Sequence, residues 1–187
     1  MYFAFNQIVK LPLIAALLVL FFSGCQRKAI ATQLQEMIGQ ELDMSGVYPI
    51  RNGYYCEHVE MLSDTLPSIV TYLDSTMCAS CAINHLNDLN YLFDGVGPEN
   101  RPYNLLFIVT PSTGYESEVL LATRTYQGDE SFFMDKDHVF LKNNPFIPSD
   151  RRFHSFLIDR YGKVKIVGDP RCGEKLRSLY YSEIHCK

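Results

Sequence analysis

The chain has no tryptophan among its 187 residues, so no indole can stand beside a reactive side chain. Basic residues are also outnumbered: 17 Lys and Arg against 21 Asp and Glu leave a net charge of −4 with no basic block, which excludes nucleic acid as a partner. No internal repeat, low-complexity tract or phosphate-cradling glycine loop is present. The longest apolar run, Leu11 to Phe22, is too short to cross a bilayer comfortably. Cysteine is sparse as well. Six are present and only two sit close together, which leaves a four-cysteine zinc site without its second pair. Ala82, not histidine, follows that pair, and this excludes covalent haem attachment. What the chain does carry is 13 % aromatic residues, enough Tyr and Phe for a packed core.

The close pair is Cys78-Ala79-Ser80-Cys81, placed where a strand-like run, Leu66 to Leu73, gives way to a helical pattern. After it Ala82, Ile83, Leu86, Leu89 and Phe93 recur on one side, Asn84, Asn87, Asp88 and Asn90 on the other, and Gly95 is placed as a stop. Two intervening residues let both sulfurs meet across the first helical turn. Unpaired amides at a helix start favour a thiolate on Cys78, and Cys81 is spaced to resolve a mixed disulfide formed there. The same spacing also suits metal ligation or a structural bridge. The strand-to-helix context favours redox chemistry.

The N-terminus reads as an address. The apolar stretch from Leu11 has signal-peptide length and ends at Ser23-Gly24-Cys25, small residues before a cysteine, which resembles the bacterial lipoprotein cleavage box. Residues 1–24 are then a signal peptide, and Cys25 is the lipidated first residue of the mature protein. An ordinary signal peptide or an uncleaved anchor is the alternative. Either way the soluble part faces an oxidising compartment, and the expected place is a bacterial cell envelope, lipid-anchored and facing the periplasm. The remainder is the size of one globular domain, divided into an N-terminal helix and linker (25–65) and a core domain (66–187).

Gln26 to Glu41 reads as a helix with Ile30, Leu34, Met37, Ile38 and Leu42 on one side, and Asp43 to Ser63 is turn-rich, broken at Gly46, Pro49 and Gly53. Asn104 to Thr110 predicts a strand covered on both faces, Glu116 to Tyr126 a helix, and Asp137 to Leu141 a short strand. Phe153 to Asp159 and Lys163 to Val167 predict an antiparallel hairpin around Arg160-Tyr161-Gly162, and Glu174 to Ser182 a closing helix.

This order, with DSTMCASC and FHSFLIDRYGKVKIVGDP, resembles the membrane-tethered thioredoxins of the TlpA and ResA kind, whose TFLID-x-x-G hairpin the second segment parallels. The resemblance spans Leu66 to Ile184. It implies an α/β, thioredoxin-like fold: a central mixed sheet flanked by helices, preceded here by the lipoprotein signal and linker helix. It also implies a thiol-disulfide oxidoreductase acting through Cys78 and Cys81, with protein thiols or disulfides of the envelope as partners and neither cofactor nor metal. A tethered binding or scaffold module on the same fold is the rival. A peroxiredoxin-type peroxidase lacks its Pro-x-x-x-Thr-x-x-Cys pattern here. Two departures from the family stand out. Met77 replaces the tryptophan before the first cysteine, and Phe153 falls where the family carries the cis-proline that docks substrate backbone.

Phe153 and three further residues, Asp74, His85 and His154, are candidates for support. Asp74 could take a proton from Cys81 or simply cap the Asp74-Ser75-Thr76 turn. His85, four residues after Cys81, could tune the thiol, join a metal set or be a solvated helix histidine. His154, beside Phe153, faces either the dithiol or an ordinary strand environment. Among the other cysteines, a bridge between Cys172 and Cys186 would span ~20 Å of helix and is disfavoured. Cys56 could pair with either, and a free third thiol could serve as an intramolecular partner for the pair.

Overall fold

A computed structural model describes residues 30–57, 65–78, 82–83, 86–89, 91–93, 100–126 and 130–185. The chain divides into two units, Met1–Glu36 and Met37–Lys187. In the first, the described residues 30–36 are helical, and no helix among the described residues is long and apolar enough to cross a membrane. That helix ends at 37, short of the expected Glu41, because Gly39 turns the chain at φ 82° and its N–H goes to Val164 O at 2.8 Å.

The second unit is built on a seven-stranded mixed sheet in the order β2-β1-β5-β4-β3-β6-β7. The strands are β1 Tyr48–Arg51, β2 Tyr54–Tyr55, β3 Ser68–Leu73, β4 Asn104–Val109, β5 Ser131–Met134, β6 Ser155–Ile158 and β7 Val164–Val167. β3, β4 and β5 run parallel, and the remaining pairings are antiparallel. β3 is an interior strand between β4 and β6, and all six of its residues are buried, as expected of a strand covered on both faces.

Strand alternation sorts the core into two layers. Ile69, Leu73, Leu105, Phe107, Val109, Phe132, Met134 and Leu157 share one face with Ile83, Leu86, Leu89 and Phe93 from the segment after the cysteine pair. Val119 of the Glu116–Thr125 helix and Tyr180 of the Glu174–His185 helix complete that layer. Of the apolar positions read as a helical stripe after Cys81, Ile83, Leu86, Leu89 and Phe93 are therefore buried and Ala82 partly so, although Leu86–Leu89 is a 3-10 turn. Tyr103 fastens that turn by donating to Leu89 O at 2.9 Å, with its ring edge-on to Phe93.

Three expectations need correction. The turn-rich segment 43–63 supplies two strands, because Asn52 (φ 52°) and Gly53 (φ 78°) both adopt the left-handed conformation of a tight hairpin turn, and β1 then pairs with β5. The short strand expected at Asp137–Leu141 lies earlier, at Ser131–Met134. Asp135 ends it by accepting the N–H groups of Val139 (2.7 Å) and Phe140 (3.3 Å), which starts a helical turn at Phe140–Asn143. Phe153 and His154 stand outside the hairpin strand. Asp150 accepts Arg152 N–H at 3.0 Å and caps a 3-10 turn, Arg151–Phe153, so that β6 starts only at Ser155.

Candidate functional site

β3 delivers the chain to the reactive segment. Beyond Leu73, whose carbonyl accepts Thr110 N–H at 2.9 Å, the backbone turns so that Met77 N–H reaches Asp74 O at 3.1 Å. The Asp74 side chain holds this turn from inside, accepting Thr76 N–H at 2.8 Å and the Thr76 hydroxyl. Ser112 donates to Ser75 O and fixes the outer edge. Met77 leans on the core, leaving Cys78 exposed. Ala82 N–H then donates to Cys78 O at 2.9 Å, so a helical turn opens at the cysteine itself.

β6 lies beside β3 and runs the opposite way, so its beginning adjoins the end of β3. Tyr72 N–H donates to His154 O at 2.8 Å, which aligns the Arg151–Phe153 turn with the Asp74–Cys78 loop. Phe153 is 4 % exposed and lies under the Arg152 guanidinium at 5.9 Å. Its peptide bonds are trans, as are all those of the described residues.

Three charged or titratable groups meet between the two segments. Arg151 grips Asp74 at two points, Nε to Oδ2 at 2.7 Å and Nη2 to Oδ1 at 3.3 Å. His154 is buried. Its Nε2 lies 3.0 Å from Pro148 O, a carbonyl that can only accept, so this nitrogen carries the proton. Nδ1 has no hydrogen bond and lies 3.8 Å from Asp74 Oδ2. Burial pushes the His154 imidazole below the usual histidine range, reinforced by Arg151 and opposed by the Pro148 carbonyl and the carboxylates of Asp74 and Asp150. Burial would raise Asp74, but the Thr76 hydrogen bonds and Arg151 outweigh it and hold the carboxyl low, which makes it a weak proton acceptor.

The two shifts act in different pH windows. A histidine held neutral by the fold stabilises it fully above the unfolded pKa near ~6.5 and progressively less as pH falls, whereas Asp74 loses its contribution only below ~3.9. Chemical denaturation at pH 7 and pH 5 is therefore expected to show wild type weakening more than His154→Gln. An equal loss in both proteins would assign the drop to other groups.

A second buried network lies one strand further in. Thr110 Oγ1 is 2.8 Å from Tyr72 Oη and 3.0 Å from Asp135 Oδ2. A threonine has one proton to give, and the carboxylate needs it, so Tyr72 donates to Thr110 and Thr110 to Asp135. The Tyr72 ring stands edge-on to His154 at 5.0 Å. Sequence reasoning missed Arg151 and this network. Asp135, placed after Phe132-Phe133-Met134 and four residues before Val139, was the one local signal.

Cys25, Cys81, His85 and Cys186 lie outside the described residues. Among those described, no three His, Cys, Asp or Glu side chains gather as a metal site requires. Cys56 and Cys172 are free thiols. They follow β2 and β7, the opposite edges of the sheet. Six strand steps of about 4.8 Å put these edges roughly 29 Å apart, against a disulfide limit near 7 Å, so a Cys56–Cys172 bridge is excluded.

No family model matches the sequence, and a comparison with curated proteins finds no match. Among solved structures, the thioredoxin domain of a thiol-disulfide oxidoreductase from Bacteroides vulgatus is similar, with TM-score 0.50, 11 % identity, 79 % of this chain and 98 % of that one covered. An uncharacterized thioredoxin-like protein from Porphyromonas gingivalis follows, with TM-score 0.43, 12 % identity and coverage of 76 % and 88 %. StoA from Bacillus subtilis gives TM-score 0.39, 14 % identity and coverage of 72 % and 96 %. Identities this low speak to fold alone. The Bacteroides likeness, with the mixed sheet and its flanking helices, identifies the chain as a thioredoxin-fold protein.

Proposed function

We propose that the protein is an envelope-tethered thiol-disulfide oxidoreductase working through Cys78 and Cys81. The observation that carries this reading is the position of Cys78: an exposed side chain beyond the C-terminal end of the buried interior strand β3, where a helical turn opens. The thiolate of Cys78 attacks one sulfur of a substrate disulfide. The substrate S–S bond breaks, its second sulfur leaves as a thiolate, and a mixed disulfide forms. Cys81 then attacks Cys78, releasing the other substrate sulfur and leaving the pair oxidised. A membrane dithiol partner resets the pair, and the opposite direction uses the same steps in reverse.

Redox titration of the purified protein in glutathione buffers, read by thiol alkylation and mass, is expected to show a two-electron transition of the 78–81 pair. Dithiol proteins of this type fall roughly between −120 and −270 mV. Absence of any transition would favour the rival, a binding or scaffold module. That rival draws on Phe153, buried and trans where the related proteins dock substrate, and on Met77 in place of an indole.

Tethering rests on the apolar run ending at Ser23-Gly24-Cys25. Labelled fatty acid is expected to enter wild type and not Cys25→Ala. Equal incorporation into both would defeat the lipid anchor and leave the redox reading untouched.

A further inference from the structure

An exposed ion pair usually contributes little, yet the Arg151 to Asp74 pair joins two segments that nothing in their local sequence requires to be joined. Asp74 belongs to the turn that presents Cys78, and Arg151 opens the turn that ends in Phe153. The arginine side chain is 52 % exposed and the carboxylate 16 %, so the pair sits at the surface with its acceptor half sunk between the segments. Both carboxylate oxygens are engaged by the guanidinium, and Oδ1 also receives Thr76. A planar two-point fork of this kind fixes direction as well as distance. Behind it waits the unpartnered Nδ1 of His154, 3.8 Å from the same Oδ2 that Arg151 Nε holds at 2.7 Å.

We propose that Arg151 is a positioning residue for exchange at Cys78: its grip on Asp74 ties the loop that carries the thiol to the turn that carries Phe153, and so sets the spacing of the two segments against which a substrate disulfide docks. The inference rests on the oxidoreductase reading above. Arg151 touches no reacting atom in this scheme. It acts through Asp74, and its removal releases Oδ2 toward His154. The groups acting on His154 are Asp74, 3.8 Å from Nδ1, Arg151 held on that carboxylate, Asp150 on the turn, the Pro148 carbonyl at Nε2 and the Tyr72 ring from β3. Loss of the guanidinium removes the one cation in that set and frees an anion beside the ring.

The experiment compares wild type, Arg151→Gln, Arg151→Lys and Cys78→Ser as full chains in detergent. A self-quenched fluorescent peptide disulfide is the substrate, and imidazole titration is followed by NMR. Arg151→Gln is expected to raise KM about fivefold with kcat nearly unchanged, the scale of one half-exposed ion pair. It is also expected to move the His154 titration upward. Lysine keeps the charge without the fork and should restore the titration while recovering KM only in part. A variant that merely loosens the fold would lower thermal stability and kcat together, leaving KM and the imidazole in place, and that result overturns the proposal. So does an unchanged KM in Arg151→Gln while wild type exchanges normally. Full activity in Cys78→Ser instead overturns the oxidoreductase reading, and the two failures are thus distinct.

Discussion

Cys78→Ser is expected to lower disulfide exchange by roughly a thousandfold or more, the scale on which removal of a covalent nucleophile acts, while Cys81→Ser keeps the first step and halts at the mixed disulfide. The asymmetry follows from where the chain places the first cysteine. Its side chain is exposed, and its carbonyl accepts Ala82 N–H, the bond of an opening helical turn; amides at the start of a helix have, in general, no intrahelical carbonyl partner. Such amides favour a thiolate over a thiol. Limited alkylation of the reduced protein should accordingly modify Cys78 before Cys81, read by peptide mass. Preferential labelling of Cys81 would reverse the two roles. The same Cys81→Ser protein, passed over an envelope extract, should retain a small set of partners joined through Cys78. Broad capture would speak against a narrow substrate range.

Much of this architecture was legible because burial leaves a local trace. Ile69 to Leu73 and Leu105 to Val109 are near-continuous apolar runs, and they became β3 and β4, covered on both faces. The Glu116–Thr125 helix stopped one residue before its expected end. The errors share a cause: a polar side chain or turn reassigning the backbone. Asn52-Gly53 is a strong two-residue hairpin signal, but the strands it joins are only four and two residues long and too polar to read as core. Asp135 and Asp150 each cap a turn and cut short or displace a strand predicted from hydrophobicity. Arg151 was not legible at all. Its partner lies 77 residues away, and no periodicity encodes an ion pair between two loops. The proposal for the cysteine pair, by contrast, draws on local signals, the spacing of the two residues and the strand that precedes them.

Phe153 offers the sharpest test of how substrate reaches the dithiol. On the proposed reading Phe153 stands at or near the place where the resemblance implies a docking proline, so its aromatic side chain is expected to obstruct an extended backbone approaching Cys78 and to make wild type slow on generic disulfides. Opening that place should raise exchange with a small peptide disulfide and leave the reduction potential nearly unchanged, since the potential depends on the sulfurs and their amides and not on access. Phe153→Pro is a costly way to do so. The Phe153 N–H donates to Asp150 O at 3.0 Å within the 3-10 turn, and proline has no N–H to give. Proline also disfavours a helical conformation at Arg152 before it. Phe153→Ala keeps that hydrogen bond and loses only the ring, which is 4 % exposed and so costs ~3 to 5 kcal/mol of stability. Both variants should gain several-fold in rate on the peptide, with alanine the more stable in chemical denaturation. If each exchanges more slowly than wild type at an unchanged potential, the ring supports docking instead of blocking it, and a narrow substrate range must come from other residues.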